Sequence, residues 1–73
     1  MRYTLIDSSA TIQAASAAMR ERDADALLVV DASEGEARAA AVIFASDIVT
    51  RVIALGLDPR VLTVSDLVAV TYA

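Results

Sequence analysis

The sequence contains no cysteine and no histidine, and all six of its basic residues are arginine. Without thiols or imidazoles the chain has no disulfides, no thiol nucleophile and no imidazole general base, and it lacks the ligands of most transition-metal sites. Any catalysis would therefore rest on carboxylates. A small domain without disulfides fits the cytosol better than the exterior of the cell.

Aromatic residues and positive charge are also scarce. Only 4% of the residues are aromatic, whereas 58% are hydrophobic. A domain of this size buries only about 60% of the surface of its unfolded chain, so we expect part of the apolar content to face another copy or another domain. The net charge of −4 and the absence of a basic stripe exclude binding to nucleic acid polymers.

No apolar run approaches the roughly 18 to 20 residues that a membrane span needs. Near the N-terminus, Tyr3–Ile6 is followed by polar residues, and no apolar core of a signal peptide is present. We therefore expect a soluble, cytoplasmic protein.

The most informative stretch is a strand that leads directly into a helix. Arg38–Phe44 has the composition of a buried strand. Ser46 is the predicted N-cap of the following helix, and Asp47 places a carboxylate in its first turn, where the helix dipole favours it. Gly56 and Pro59 end the helix. Free N–H groups beside an acid suit a small polar ligand. The predicted apolar stripe of this helix consists of Ile48, Val49, Val52 and Ile53.

The rest of the chain supplies what packs on this unit. Tyr3–Ile6 and Ala26–Val30 are predicted strands, and Thr11–Arg22 is a predicted helix capped by Thr11 or Ser9. The two strands that flank this helix should be parallel, whereas a polar turn should join Ala26–Val30 to Arg38–Phe44 as an antiparallel hairpin. We therefore predict a compact α/β (α+β) unit of order β-α-β-β-α, with a three-stranded mixed sheet and both helices on one face.

The order of these segments resembles a cystathionine β-synthase (CBS) domain over roughly residues 4–68. Thr11–Asp23 is similar to the family's first helix, T-(I/V)-x-x-A-x-x-x-M, and Leu27–Asp31 to its LPVVD strand. Asp47–Arg51 is similar to its T-x-R-D-I-(V/L) junction, and Ala54–Pro59 with Val64–Leu67 to a linker that leads into a second repeat. We therefore predict a CBS-like domain at residues 1–60 and a connector at 61–73, which begins one short helical turn at Ser65 and Asp66.

The resemblance also implies an assembly and a ligand. CBS domains normally occur as tandem pairs whose sheets face one another, and the pair binds adenosyl nucleotides in the cleft between them. Because this chain holds one repeat, the resemblance implies a homodimer or a pairing with a second CBS repeat. The implied ligands are AMP, ATP and S-adenosylmethionine.

The family's ligand motif maps onto five positions. Its ribose-binding Asp corresponds to Asp47. The Thr or Ser three residues earlier corresponds to Phe44, which has no hydroxyl, and the Gly before it to Ala41. The Gly and Pro of the family's G-x-L-P segment correspond to Asp25 and Leu28. We expect Phe44 and Leu28 to crowd the cleft, and Asp25 to place a negative charge near a phosphate.

Two functions remain open on this evidence. In the first, the chain is a regulatory module that senses an adenine nucleotide: Asp47 holds the ribose, Ser46 at the helix N-terminus and Arg51 bind phosphate, and the backbones of Leu27–Val29 and Val42–Phe44 face the base. In the second, it is a degenerate CBS unit that serves only in dimerisation or scaffolding. Under that alternative Asp47 merely complements the helix dipole and Arg51 is a solvated helix residue.

An enzyme is the hypothesis that we reject. The paired carboxylates of the sequence are Asp23 with Asp25 and Glu34 with Glu36. Both pairs lie in predicted turns, where acidic residues are usually solvated. Neither has the number of ligands that a dedicated divalent-cation site requires.

Overall fold

The computed structural model describes residues 1–31 and 38–72. These residues form a three-stranded sheet and three helices, with the predicted order β-α-β-β-α followed by a last helix. A π-helical segment, Val49–Ile53, continues the second helix. The elements are β1 (Tyr3–Asp7), α1 (Ile12–Arg22), β2 (Ala26–Asp31), β3 (Arg38–Phe44), α2 (Ala45–Ile48) and α3 (Val64–Thr71).

The sheet has the predicted topology. Its strand order is β1-β2-β3, with β1 parallel to β2 and β2 antiparallel to β3. The register of β2 against β3 shifts between Val29 and Val30, which marks a β-bulge. Because alternate residues of a strand point to opposite faces, Leu27 and Val29 of β2 lie on the same face as Ile43 of β3, and all three are fully buried.

The core lies between that face of the sheet and the helices. The prediction that the helices share one face is confirmed, because α1, α2 with its π-helical continuation, and α3 all contribute buried residues to a single cluster with β2 and β3. The helical members of this core are Ile12, Ala15, Met19, Ile48, Val52, Val64 and Leu67.

The start of α1 is held by the segment before α3. Thr11 is the cap, as one of the two predicted alternatives proposed, and its side chain accepts a backbone hydrogen bond. The N–H groups of Ile12 and Gln13 donate to the carbonyls of Leu62 and Pro59, both at 2.9 Å. These contacts satisfy donors that the first turn of a helix leaves unpaired.

The apolar stripe predicted after β3 is only half buried. Ile48 and Val52 are 7% and 1% exposed, whereas Val49 and Ile53 are 57% and 55% exposed. The segment Val49–Ile53 is π-helical, with hydrogen bonds to the fifth residue along the chain, so the spacing of an ideal α-helix does not apply there. The prediction that all four share the buried face was wrong, and two large apolar side chains remain at the surface.

Residues 61–72, in the predicted connector, form more structure than the single helical turn that we predicted. α3 has eight residues, and Val64 and Leu67 are buried in the core. At its end, the Tyr72 hydroxyl donates a hydrogen bond of 2.6 Å to the carbonyl of Val42 in β3. The helix thus packs on the domain that precedes it, while the division of the chain at residue 60 stays a prediction.

The two predicted acid pairs fare differently. Glu34 and Glu36 lie outside the described residues. Asp23 and Asp25 are both exposed, as expected of solvated acids between two elements. Among the residues that the structure describes, no three acidic, histidine or cysteine side chains gather as a metal site would require. In the same residues, no helix is long and apolar enough to cross a membrane.

Candidate functional site

The sheet face opposite the helices is apolar and partly uncovered. The register places Tyr3 and Phe44 in one row of side chains at the end of the sheet. Leu5, Leu28 and Val42 form the next row on the same face. Tyr3 and Leu5 of β1 are 57% and 66% exposed, and Phe44 of β3 is 40% exposed. We call this surface the outer face, and its members are Tyr3, Leu5, Leu28, Val42 and Phe44.

Most of the predicted ligand residues meet at the end of the sheet where β3 runs into α2. Phe44 ends β3 beside the beginning of β2. The N–H of Ala45 donates to the carbonyl of Asp25 at 3.1 Å, which ties the start of α2 to the residue before β2. Leu28 is half-buried and lies on the outer face with Phe44. Asp47 follows in the first turn of α2.

Asp47 is engaged with its own helix. Its Oδ2 accepts a hydrogen bond from the N–H of Phe44 at 2.9 Å, and its Oδ1 lies 3.8 Å from Nε of Arg51. The Asp47 side chain is 20% exposed, and that of Arg51 is 45% exposed. A carboxylate has about four acceptor positions, so Asp47 keeps acceptor capacity beyond these two contacts.

Ser46 is not the N-cap that the sequence predicted. The cap residue is Phe44, whose backbone is extended and which makes no side-chain cap hydrogen bond. The helix begins at Ala45, directly after the strand, so Ser46 already lies in the first turn. Its carbonyl accepts a hydrogen bond from the Thr50 hydroxyl at 2.8 Å. The prediction placed the helix start too late because a hydroxyl residue is a stronger cap signal than phenylalanine.

Asp25 and Arg51, two further charged residues near this end of the sheet, already have partners. The Asp25 carboxylate accepts a hydrogen bond of 3.0 Å from the backbone N–H of Arg2. Arg51 is positioned one helical turn after Asp47 and is paired with it. Because nearly half of the Arg51 side chain is exposed, its guanidinium remains accessible to a second anion.

Sequence reasoning overlooked the contribution of β1 to this surface. Tyr3 and Leu5 alternate with Thr4, which is buried on the core side. This alternation of apolar and polar residues is visible in the sequence and indicates a strand whose two faces differ. The contact of Tyr72 with Val42 carried no such signal, because the two residues are distant in the sequence.

No family model matches the sequence, and no curated protein matches it. Two solved structures superpose well. One is a cystathionine β-synthase domain protein fused to a Zn-ribbon-like domain, with a TM-score of 0.81 at 17% identity, covering 90% of this chain and 89% of that chain. The other is Hypoxic Response Protein I with two coordinated zinc ions, with a TM-score of 0.73 at 31% identity, covering 88% of this chain and 51% of that chain. This chain has the fold of a CBS domain.

The chain spans about half the length of Hypoxic Response Protein I. The zinc ions belong to that protein, and the present chain has neither cysteine nor histidine with which to hold zinc in the usual way. CBS domains are generally regulatory modules. The assignment of Asp47, Ser46, Phe44, Leu28 and Arg51 to ligand binding stays a prediction.

Proposed function

We propose that this CBS domain is a non-catalytic regulatory module that acts as one half of a CBS pair and takes an adenosyl nucleotide in the cleft of that pair. The second half is a second copy of the chain or a second CBS repeat. The observation that carries the proposal is the outer face, an uncovered apolar surface that ends beside Asp47. Exposed apolar surface of this kind is typical of an interaction site.

The outer face supports pairing through the sheet. Tyr3 and Leu5 stand on the edge strand β1, and Phe44 stands on the strand at the opposite edge. All three are large apolar side chains at least 40% exposed, and none of them belongs to the core that the sheet forms with the helices of the described residues. Burial of one such side chain contributes about 1.5 to 3 kcal/mol, so covering this surface favours association.

The end of the outer face supports a nucleotide as the ligand. Asp47 retains acceptor positions for ribose hydroxyls, and the accessible Arg51 provides a cation for phosphate. Phe44 and Tyr3 offer aromatic surface against which a purine ring packs. AMP, ATP and S-adenosylmethionine all present an adenosine to this arrangement.

A scaffold without a ligand is the second candidate, and two observations favour it. One carboxylate oxygen of Asp47 already serves the backbone of Phe44. Phe44 stands where the CBS pattern has a hydroxyl residue. Under this alternative the outer face alone matters, and the domain serves only to hold two polypeptides together.

Thermal unfolding with and without millimolar AMP, ATP and S-adenosylmethionine separates the two candidates. A ligand present at a hundredfold excess over its dissociation constant stabilises the folded state by about 2.7 kcal/mol, which raises the Tm of a domain this small by several degrees. The sensor predicts such a shift for at least one nucleotide. No shift with any of the three contradicts the sensor and leaves the scaffold.

A matched pair of variants tests whether Asp47 holds the ligand. Asp47→Ala removes a carboxylate that accepts from Phe44 N–H at 2.9 Å, and Asp66→Ala removes one that accepts from Thr63 N–H at 3.0 Å. Both variants therefore lose the same kind of helix contact. The ribose role predicts that the nucleotide shift disappears in Asp47→Ala and persists in Asp66→Ala. Equal shifts in both variants contradict it.

Pairing through the outer face is tested by sedimentation. Leu5→Glu places a charge on the outer face at a residue that is 66% exposed, so it should leave the fold intact and abolish association through this face. Ala17→Glu adds the same charge to an exposed position of α1 and serves as the control. Loss of mass in Ala17→Glu, or unchanged association in Leu5→Glu, contradicts pairing of two copies through the sheet.

A further inference from the structure

The two edges of the sheet differ in how their backbone groups are satisfied. β1 and β3 are the edge strands, because the strand order is β1-β2-β3. An edge strand presents a row of N–H and C=O groups that have no partner in the sheet, and such a row can pair with a strand of another chain. The hydrogen bonds of the described residues block one edge and leave the other open.

The edge of β3 is blocked by side chains. The N–H of Ala45, directly after β3, donates to the carbonyl of the residue before β2 at 3.1 Å. Because successive residues of a strand direct their backbone groups to alternate sides, Phe44 and Val42 direct theirs to the outer edge. There the Asp47 carboxylate accepts from the N–H of Phe44 at 2.9 Å. The Tyr72 hydroxyl donates to the carbonyl of Val42 at 2.6 Å.

The edge of β1 is open. The carbonyl of Arg2, just before the strand, accepts from the first N–H of β2 at 3.2 Å, and the N–H of Ser8, just after it, donates to β2 at 2.9 Å. The even-numbered residues of β1 therefore face β2, and Tyr3 and Leu5 direct their N–H and C=O groups away from it. Within the described part of the chain, no hydrogen bond reaches these groups of Tyr3 and Leu5.

This open edge is complementary to itself in an antiparallel arrangement. About a two-fold axis at Thr4, Tyr3 of one copy stands opposite Leu5 of the partner subunit. Each free N–H then donates to a free carbonyl of the other copy. Tyr3 and Leu5 lie on the same outer face, so each cross-strand pair joins two large apolar side chains.

Charge and closure favour a second copy over another polypeptide. Arg2 and Asp7 stand at the two ends of β1, and both are exposed. Antiparallel pairing of two copies brings Arg2 of each towards Asp7 of the partner subunit, whereas parallel pairing places like charges together. The pair also closes on itself, because it uses the open edge of both copies and leaves the blocked β3 edges on the outside.

We propose that β1 pairs with β1 of a second copy, antiparallel and centred on Thr4, so that two three-stranded sheets form one continuous sheet. The interface lies at the edge of the sheet and does not rest on the function proposed above. The outer faces of the two copies then lie side by side and stay available to a further partner.

Cysteine cross-linking tests the register. The chain has no cysteine, so one introduced thiol reports one contact. In the proposed pair the two copies of residue 4 are opposite each other with Cα atoms about 4.5 Å apart, which suits a disulfide. Thr4→Cys should therefore form a disulfide-linked dimer under mild oxidation. Thr4 is 5% exposed on the core side, so contact through the outer face does not imitate this result. Ala41→Cys, half-buried on the core side of β3, should remain unlinked.

Backbone N-methylation tests the hydrogen bonds without changing a side chain. A chain of 73 residues is accessible to chemical synthesis. In the Thr4→Cys chain, methylation of the Leu5 nitrogen should slow disulfide formation about tenfold or more, because it removes an interchain hydrogen bond in each direction and places a methyl group between the strands. Methylation of the Val42 nitrogen, which faces the other edge, should leave the rate unchanged.

Each contrary outcome is defined. Circular dichroism establishes that every chain is folded. If Thr4→Cys is not folded, a mixture of Tyr3→Cys and Leu5→Cys replaces it, because these exposed positions stand opposite each other in the pair and should link faster together than alone. Folded chains that do not link overturn the proposal. Linking that Leu5 methylation leaves unchanged, or equal linking of Ala41→Cys, overturns it as well.

Discussion

The carboxylate of Asp47 accepts a hydrogen bond from the backbone N–H of Phe44 at 2.9 Å. The same relationship begins α3, where Asp66 accepts from the N–H of Thr63 at 3.0 Å. At α3 the contact is reciprocal, because the Thr63 hydroxyl accepts from the N–H of Asp66 at 3.2 Å. Phe44 has no hydroxyl, so α2 has only half of this capping box. The departure from the CBS pattern at this position therefore removes a helix cap.

Restoring the hydroxyl should complete the capping box of α2. We expect Phe44→Thr to be more stable than Phe44→Val by about 1 kcal/mol, because the two side chains have the same shape and only threonine accepts the N–H of Asp47. Urea unfolding of the two variants measures the difference. Equal stabilities would show that α2 does not use a cap. If the chain binds a nucleotide as proposed, Phe44→Thr should also increase the nucleotide-induced rise in Tm.

α3 should contribute to the stability of the whole domain. Leu67 is 4% exposed in the core, so Leu67→Ala should lower the free energy of unfolding by about 2 to 5 kcal/mol. Leu55 is 65% exposed, and Leu55→Ala should change the free energy of unfolding by less than about 0.5 kcal/mol. Denaturant unfolding compares the two. If both variants matched the wild type, the tail would be a connector without a structural role.

Asp23 ends α1 in a backbone conformation that favours glycine. Its φ is 53°, in the left-handed region, and its N–H closes the helix on the carbonyls of Arg20 and Met19. We expect Asp23→Gly to raise the free energy of unfolding by about 0.5 to 1 kcal/mol, because glycine adopts this conformation without strain. The lost ion pair with Arg2 is exposed and contributes little, which Arg2→Ala should show as a near-zero change. A less stable Asp23→Gly would contradict the prediction.

Stability should fall below about pH 4 because of two exposed carboxylates. Hydrogen bonds from the hydroxyl and then the backbone N–H of Ser9 lower the pKa of Asp7 below its usual 3.8. The backbone N–H and then the side chain of Arg60 lower the pKa of Asp58 in the same way. Since both pKa values are lower in the folded state, these groups stabilise the fold above the unfolded pKa of about 4, and that contribution is lost as the pH falls through the folded pKa.

Asp7→Asn tests this pH dependence. Asparagine still accepts from the N–H of Ser9 but does not titrate, so we expect a flatter fall of stability over about one to two pH units below 4. Urea unfolding at a series of pH values measures the slope. An unchanged slope would show that Asp7 does not contribute to the acid sensitivity.

Periodicity and turn chemistry were sufficient to predict most of the fold. The apolar run at β2, the helix-forming segment at α1 and the hairpin between β2 and β3 follow from local preferences that the packed structure does not override. The sequence also indicated that apolar surface would remain exposed. Predicted site residues such as Asp25, Leu28, Phe44 and Asp47 do gather at one end of the sheet, because the register of a hairpin follows from where its strands begin and end.

Tertiary packing determined where α2 begins and which apolar side chains after it remain exposed. Whether Phe44 or Ser46 begins α2 depends on how directly β3 runs into the helix, and the π-helical turn that exposes Val49 and Ile53 departs from any periodic pattern. The sequence alone determined the fold class, the absence of imidazole and thiol chemistry, and the excess of apolar residues. Only the tertiary structure decided that α3 packs on the core, because contacts between residues far apart in the chain leave no local signal.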